Sequence, residues 1–295
     1  MKKFLPDKIT SFVTSGFLSK GKDREVKLLP DSGNKPTLQL PNRQTPYDQY
    51  RRNKLIKLLR MHELAGEKSV LEIGCGVGDL LLEISKYKPR ELYGVDRDPE
   101  MIDFARQFLE GVEVDLMAAD VRRLPFPEKS FDVVVVMFEL QYVLDKHQLQ
   151  QVVYEICRLS RQWIVLVENT SPEGKKEEDH LRRPMEVYKE AFKKQRFFLR
   201  RTDFLDVSAS EYVFTGKSNP WHWIRWLLSP LLYLMGFPKD LMRPPVAENE
   251  IPDSKFALFL QKLSLPFMTS LDEIVKSGSG TTIMRFERER LFRRG

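Results

Sequence analysis

One stretch near residue 70 carries the residue types that would bind a nucleotide-like ligand. A short apolar run, Val70 to Ile73, contains one acid, Glu72, and then breaks into three alternate glycines, Gly74, Gly76 and Gly78. Leucine and isoleucine at helical spacing follow at once, so this order predicts a buried strand, a tight loop and a helix. Glycines reach positive φ and let a ligand approach the backbone closely, while the first N–H groups of a helix have no partner within it. We therefore expect a ligand site at this loop.

Strand and helix patterns alternate after the loop and indicate the sheet that would position it. Further strands are predicted at Glu91–Asp96, Val112–Ala118, Phe131–Met137 and Trp163–Val167, with helical patterns between them. The run from Phe131 to Met137 is apolar on both faces after Asp132, which is typical of a strand in the middle of a parallel sheet. The alternation predicts an α/β protein with a doubly wound, mostly parallel sheet.

The polar residues of these strands collect where the strands end. In open α/β sheets ligands bind outside the carboxyl ends of the strands. Five such ends are predicted to share one rim, at Glu72–Gly78, Asp96, Asp120, Phe138–Gln141 and Glu168–Asn169. The expected site therefore does not depend on the glycine loop alone.

The spacing around the glycines argues against a dinucleotide. A dinucleotide loop reads G-x-G-x-x-G, but here Asp79 follows Gly78 directly. An acid at the position of Glu72 could bind an ammonium group, and an acid at the end of the next strand, Asp96, could bind both hydroxyls of a ribose. Asp120 would come within reach of an adenine amino group. A ligand with an ammonium, a ribose and an adenine but no phosphate is S-adenosylmethionine.

Four segments between about residues 68 and 170 resemble the class I S-adenosylmethionine-dependent methyltransferases. They are similar to the broad subgroup that includes the ubiquinone/menaquinone-biosynthesis methyltransferases, whose fold is a Rossmann-like sheet. The segments are Val70-Leu-Glu-Ile-Gly-Cys-Gly-Val-Gly78, Tyr93-Gly-Val-Asp-Arg-Asp-Pro-Glu-Met101, Ala119-Asp-Val-Arg-Arg-Leu-Pro-Phe126 and Ser130-Phe-Asp-Val-Val134.

The resemblance implies that eight residues bind the cofactor. In chain order they are Glu72, Gly74, Gly76, Asp96, Arg97, Asp120, Val121 and Phe138. The first three would hold the methionine part, and the next two would bind the ribose and flank the adenine. Asp120 and the amide of Val121 would meet the adenine edge, while Phe138 would begin the wall beside the methyl-bearing sulfur.

The catalytic side of the resemblance is incomplete. The subgroup often reads Leu-x-His-Val after the fourth strand, whereas this chain reads Leu140-Gln-Tyr142-Val. A histidine base cannot be carried over, and Tyr142 would either hydrogen-bond the acceptor or pack. The candidate bases are Glu139, His147, which we expect to face solvent, and His180, in a charged linker that could fold over the site. We predict Tyr142 and His180 as the catalytic residues, with no metal.

The rest of the chain divides around this core. We predict a poorly ordered or amphipathic arm at 1–45, the core at 46–205, a helical insertion or lid at 206–276, and a last strand with a basic tail at 277–295. The insertion holds Trp221, Trp223 and Trp226 beside a leucine-rich run. Such residues suit a water–lipid interface or an apolar substrate, and a lid packed on the sheet needs the same types.

Composition bounds the class of protein. The 295 residues are 42% hydrophobic and 31% charged with a formal net charge of +6, which suits a globular chain and is too small a bias for a dedicated nucleic-acid binder. The two cysteines, Cys75 and Cys157, argue against a disulfide framework and against a zinc site of the usual spacing, which fits a reducing compartment. We expect a cytoplasmic protein, possible contact with a membrane surface, and no nucleic-acid partner.

These features predict S-adenosylmethionine-dependent methylation of an apolar or lipid-linked small acceptor, at oxygen, by direct in-line transfer. Two alternatives stay open. One is an RNA or protein methyltransferase, and the other is an adenosyl-cofactor-binding interaction module without catalytic activity.

Overall fold

The computed structural model describes residues 28–30, 36–38, 46–176, 180–207, 262–267, 269–270, 272 and 280–289. Trp221, Trp223 and Trp226, with most of the predicted insertion, lie outside the described residues, and so does most of the predicted arm. The chain divides into two compact units. One comprises Leu28–Leu38, Lys54–Leu205 and Gly278–Gly295, and we call it the sheet unit; the other comprises Met1–Lys27, Gln39–Asn53 and Asp206–Ser277.

The elements follow in chain order. They are β1 (Leu28–Pro30), β2 (Pro36–Leu38), α1 (Pro46–Leu59), β3 (Ser69–Ile73), α2 (Asp79–Ser85), β4 (Glu91–Asp96), α3 (Pro99–Phe108), β5 (Asp115–Ala118), β6 (Phe131–Met137), α4 (Lys146–Leu159), β7 (Ser160–Thr170), β8 (Lys175–Lys176), β9 (Leu181–Arg182), α5 (Met185–Lys194), β10 (Phe197–Phe204) and β11 (Gly280–Arg288). Short 3₁₀ turns occupy Met61–Glu63 and Leu140–Tyr142.

Seven strands form the sheet in the order β10-β11-β7-β6-β3-β4-β5. Neighbours from β7 to β5 are parallel, and β11 runs antiparallel between β7 and β10. This confirms the predicted doubly wound, mostly parallel sheet, with the doubly apolar strand β6 in the middle. The order reverses at β3, whose neighbours are β4 and β6, so the glycine loop leaves the sheet where a ligand crevice is expected.

Burial at the centre explains why these sequences form these elements. Val133 to Val136 of β6 have no exposed surface, and each buried side chain of this size contributes about 1.5–3 kcal/mol. Two helices also begin at side-chain caps: the Asp98 carboxylate accepts from the amide of Glu100, with Pro99 in the first turn of α3. Asp145 accepts from the amide of Gln148 at the start of α4. The core therefore fixes where each strand ends, and the caps fix where the following helix begins.

Some elements differ from the patterns in the sequence. The apolar spacing from Tyr47 to Leu64 predicts one helix, but α1 ends at Leu59, because Arg60 takes a left-handed conformation with φ 49°. The strand predicted at Val112–Ala118 is β5, which begins at Asp115 and forms an exposed edge of the sheet. A β1–β2 ribbon lies within the arm and was not predicted. Of the helices that the structure describes, none has the length and apolar character to cross a membrane.

Candidate cofactor site

The loop after β3 is held open by its own backbone. The amides of Gly74 and Cys75 both donate to the carbonyl of Val95 on β4, at 2.8 and 3.1 Å. Gly76 has φ +51°, and a Cβ at this position would meet no atom of the described residues within 4 Å. A positive φ disfavours any side chain there, and the empty space lets a ligand reach the backbone.

Glu72 is a buried acid without a full set of partners. Its side chain lies at the end of β3 with 1% exposure, and its Oε2 atom has no hydrogen-bond partner among the residues that the structure describes. Burial raises the pKa of this carboxyl well above its ordinary value, and the charges of Asp79 and Asp96 raise it further. An unpartnered buried carboxyl is costly, and a positively charged ligand group would supply what is missing.

Asp96 links the glycine loop to the end of the neighbouring strand β4. Its Oδ2 atom accepts from the amide of Gly76 and its Oδ1 atom accepts from the amide of Asp98, both at 2.9 Å. Burial raises the pKa of this carboxyl even though the two amides oppose the shift. Each oxygen keeps a further lone pair, so the carboxylate can still receive two ligand hydroxyls.

Glu139 lies against the first glycine of the loop. A Cβ at Gly74 would be 2.3 Å from Oε1 of Glu139, so only glycine leaves room for this carboxyl. Burial and the nearby Asp96 raise the pKa of Glu139 to about 7, and Arg97 opposes the shift. The sequence pointed to Glu139 only as one candidate base; its contact with Gly74 depends on how β6 ends and could not be inferred from spacing.

A second buried acid, Glu168, holds the turn that follows Glu139. Its two oxygens accept from the amides of Leu140 and Gln141 at 2.7 and 3.2 Å. Arg183 donates to the carbonyls of Leu140, at 2.7 Å, and Val143. Burial raises the pKa of Glu168 to about 8; the charge of Glu139 also raises it, and Arg183 opposes the shift. Sequence reasoning placed Glu168 on the rim but gave it no role, and it missed Arg183.

The two predicted catalytic residues are brought together. The rings of Tyr142 and His180 have centroids 6.1 Å apart at a tilt of 59°. Tyr142 ends the turn fixed by Glu168 and Arg183, and His180 immediately precedes β9. His147 is exposed in the first turn of α4, as expected.

The residues predicted to meet the adenine are more exposed. The Ala119 amide donates to the Asp96 carbonyl at 2.8 Å, which places Asp120 beside β4. Asp120 accepts from the backbone and guanidinium of Arg122, and this lowers its pKa. Arg97 is exposed and Val121 is half-buried. Any adenine at this edge would share Asp120 with Arg122, which the sequence did not predict.

Phe138 turns the chain at the end of β6. It is 4% exposed and has φ +59°, which is unusual for an aromatic residue, and its amide donates to the carbonyl of Val167 at 2.8 Å. This unusual backbone directs the chain from β6 into the turn that holds Glu139. Phe138 therefore belongs to the same rim as the glycine loop, as predicted from its position after the strand.

Comparison with known proteins bears on these residues directly. Residues 70–162 match the family model described as a methyltransferase domain. The demethylmenaquinone methyltransferase of Thermus thermophilus is 32% identical over 121 residues, which are 39% of this chain and 55% of that protein. An uncharacterised methyltransferase of Bacillus subtilis, YcgJ, is also 32% identical over 121 residues, which are 46% of its length. The chain thus spans about half the length of these curated relatives.

Solved structures show the same fold. The crystal structure of YcgJ matches with a TM-score of 0.50 and 18% identity, covering 81% of this chain and 100% of that one. The [4+2]-cyclase SpnF matches with a TM-score of 0.53 and 17% identity, covering 96% of this chain and 93% of that one. Residues 70–162, which contain the glycine loop and the ends of β3, β4 and β6, are thus similar to the methyltransferase domain family.

Proposed function

We propose that this chain transfers a methyl group from S-adenosylmethionine to an apolar or lipid-linked small acceptor. One observation carries the cofactor part: within the described part of the chain, the buried Glu72 carboxyl has an oxygen without a partner, next to a glycine loop with open space above Gly76. A cationic ligand that also carries hydroxyl groups fits this pair of features and the neighbouring Asp96. When bound, S-adenosylmethionine supplies an electrophilic methyl group on a positively charged sulfur.

The chain's own residues would hold that ligand at separate strand ends. Glu72 would accept from the ammonium group, Asp96 would accept from the two ribose hydroxyls, and the backbone of Gly74 and Gly76 would allow close contact. The remaining predicted residues would serve the other parts of the ligand: Arg97, Asp120 and the Val121 amide the adenine, and Phe138 the wall beside the sulfur.

Tyr142 and His180 would line the place of the acceptor. Their support is the 6.1 Å separation of the rings beside the turn that carries Glu139. The Tyr142 hydroxyl can donate a hydrogen bond to an acceptor oxygen, and an imidazole such as that of His180 can take up the acceptor's proton. Beyond this, in-line transfer needs mainly proximity and orientation.

The acceptor is proposed as a hydroxylated aromatic or quinone-like molecule with apolar substituents. The sequence led us to expect methylation at oxygen. A ring carbon is the second candidate, because relatives carry names such as ubiquinone/menaquinone biosynthesis C-methyltransferase. Deprotonation of a ring hydroxyl makes both its oxygen and the adjacent ring carbons nucleophilic, so one base would serve either outcome.

Titration calorimetry with S-adenosylmethionine tests the cofactor site. We expect the wild type to bind and Asp96→Ala to bind at least about tenfold more weakly, since two hydrogen bonds to a charged group are lost. Asp103→Ala is the matched control, because the Asp103 side chain is 68% exposed on α3 and forms a surface ion pair with Arg106. Absence of binding by the wild type, or equal binding by Asp96→Ala, would rule out this assignment.

A labelled-methyl transfer assay tests the acceptor. The protein would be incubated with methyl-labelled donor and a short-chain demethylmenaquinol, and the product examined by NMR. A methoxy signal supports transfer to oxygen, and a ring methyl signal supports transfer to carbon. If no label reaches the quinol while the donor binds, the proposed acceptor class is wrong.

A further inference from the structure

Three acids surround the glycine loop within the sheet unit. Glu72 ends β3, Asp96 ends β4 and Glu139 follows β6. All three act on the buried thiol of Cys75, whose pKa they raise together with burial. Charges of one sign around a low-dielectric crevice produce a strong local potential. This rim therefore favours positive charge in whatever occupies it.

The three acids differ in the hydrogen bonds and contacts that their carboxyl groups already make. Asp96 accepts from two backbone amides, and Glu72 has one oxygen without a partner at 1% exposure. Glu139 lies against Gly74 and interacts electrostatically with Asp96. Glu139 thus follows β6, on the opposite side of β3 from Asp96, and its carboxyl lies against the start of the glycine loop.

The covalent structure of the donor determines what such a carboxylate would face. In S-adenosylmethionine the sulfur lies between the amino-acid end and the ribose. If Gly74 lies under the methionine part and Asp96 meets the ribose hydroxyls, a carboxylate that contacts Gly74 and interacts with Asp96 lies beside the methionine part, which includes the sulfur. That sulfur is positively charged in the donor and uncharged in the product, S-adenosylhomocysteine.

We propose that Glu139 is a specificity-determining residue that favours the cationic donor over its uncharged-sulfur product. This inference rests on the proposed function, because it assumes that the loop binds S-adenosylmethionine. A site that lost this attraction after transfer would release the product more readily and bind fresh donor in its place. The acids that face groups common to both ligands could not make this distinction.

The protonation of Glu139 gives the discrimination a pH dependence. The charged and titratable groups that act on or near it are Asp96, Arg97, Cys75 and Glu168. Because the pKa of Glu139 is raised to about 7, this carboxyl gains its charge between pH 6 and pH 8. A bound cation favours the ionised form, so donor affinity should rise across this interval.

The ratio of two affinities isolates this effect. Glu72 and Asp96 would meet the ammonium and ribose, which donor and product share, so their titration changes both affinities alike. We would measure the dissociation constants of S-adenosylmethionine and S-adenosylhomocysteine by calorimetry at pH 6, 7 and 8. If the donor lowers the pKa of Glu139 by one unit, the product-to-donor ratio of dissociation constants should rise about fivefold from pH 6 to pH 8.

Two variants and a second cation complete the experiment. Glu139→Gln should remove the rise, whereas Glu190→Gln, at an exposed position on α5, should keep it. Sinefungin, which carries an amine-bearing carbon in place of the methylated sulfur, should follow the donor in the wild type. A constant ratio in the wild type would overturn the role of Glu139 even if Glu139→Gln fails to fold.

The outcomes separate this inference from the proposed function. If neither donor nor product binds the wild type, the proposed function fails and this inference fails with it. If both bind but their ratio is constant from pH 6 to pH 8, only the role of Glu139 is overturned. A rise that persists unchanged in a folded Glu139→Gln protein, recognised by its retained product binding, also overturns that role.

Discussion

Gly76 and Gly111 share a backbone constraint but differ in their surroundings. Their φ values are +51° and +85°, and a Cβ at either position would meet nothing within 4 Å. Alanine at each should therefore cost about 1–2 kcal/mol of folding free energy through backbone strain alone. Gly76 lies in the proposed cofactor loop, whereas Gly111 lies in the connection after α3.

We predict that Gly76→Ala and Gly111→Ala lower the free energy of unfolding by similar amounts, while only Gly76→Ala weakens S-adenosylmethionine binding. The added methyl at position 76 occupies the space the ligand is expected to use. Urea unfolding and calorimetry on both variants check this. Equal loss of binding by Gly111→Ala would show that general destabilisation, rather than the occupied space, explains the result.

For single residues, the sequence predicted which positions lie at the site better than it predicted their hydrogen bonds and contacts. Glu72 and Asp96 were inferred from their places at strand ends, and both are buried on the rim. We did not infer from the sequence that Glu139 contacts Gly74 or that Arg122 donates hydrogen bonds to Asp120. These depend on side-chain directions after a turn, which residue spacing does not encode.

The turn Leu140–Tyr142 is held in place by side chains from distant parts of the chain. Glu168 accepts from two of its amides, and Arg183 donates to the carbonyls of Leu140 and Val143. Arg183 is 5% exposed and Glu168 is fully buried. Removal of the Arg183 or Glu168 side chain would leave buried polar groups without partners. We expect this to lower the free energy of unfolding by about 3–5 kcal/mol.

We predict that Arg183→Met lowers the free energy of unfolding by about 3 kcal/mol. Arg200→Met is the matched control: Arg200 pairs with Glu287 at 3.0 Å, but its side chain is 54% exposed, so its loss should cost about 1 kcal/mol or less. Denaturant unfolding of the two variants beside the wild type measures the difference. Equal effects would mean that the buried contacts of Arg183 contribute little.

At the element scale, regular patterns were predicted well and long-range contacts were not. The bounds of β4 and β6 agree with the alternation in the sequence, because paired apolar strands leave a clear pattern. Helix α1 ended early at a left-handed Arg60, which carries no sequence signal as glycine would. Arg183 reaches Leu140 across 43 positions, a pairing that only the folded sheet brings about.

The acids of the whole sheet unit divide by the direction of their pKa shifts. Burial raises the pKa of Glu72, Asp96, Glu139 and Glu168, all at the carboxyl ends of strands. Partners lower the pKa of acids elsewhere, such as Glu63, Asp132 and Glu155. Raised pKa values concentrated at one rim are typical of functional sites, and they imply that the rim reduces stability at neutral pH.

These opposite shifts predict that the free energy of unfolding rises with pH below about pH 5 and falls with pH above it. The raised acids bind more protons in the folded state, so the stability they contribute is complete below 4.5 and is lost as pH rises through about 7 for Glu139 and about 8 for Glu168. The lowered acids contribute stability above their unfolded pKa values and lose it as pH falls. The free energy of unfolding should therefore be greatest near pH 5.

We predict that Glu168→Gln and Glu139→Gln become more stable relative to the wild type as pH rises from 5 to 8. The glutamine carries no charge to desolvate, so each variant escapes a loss of at most about 1.4 kcal/mol per pH unit. Urea unfolding at pH 5, 6, 7 and 8 measures the differences, with Glu190→Gln as the exposed control whose difference from wild type should stay constant. If the difference in free energy of unfolding between Glu168→Gln and the wild type does not grow with pH, Glu168 is ionised throughout this range and is stabilised by Arg183 and the two amides. The loss of stability at neutral pH would then come from Glu72, Asp96 and Glu139.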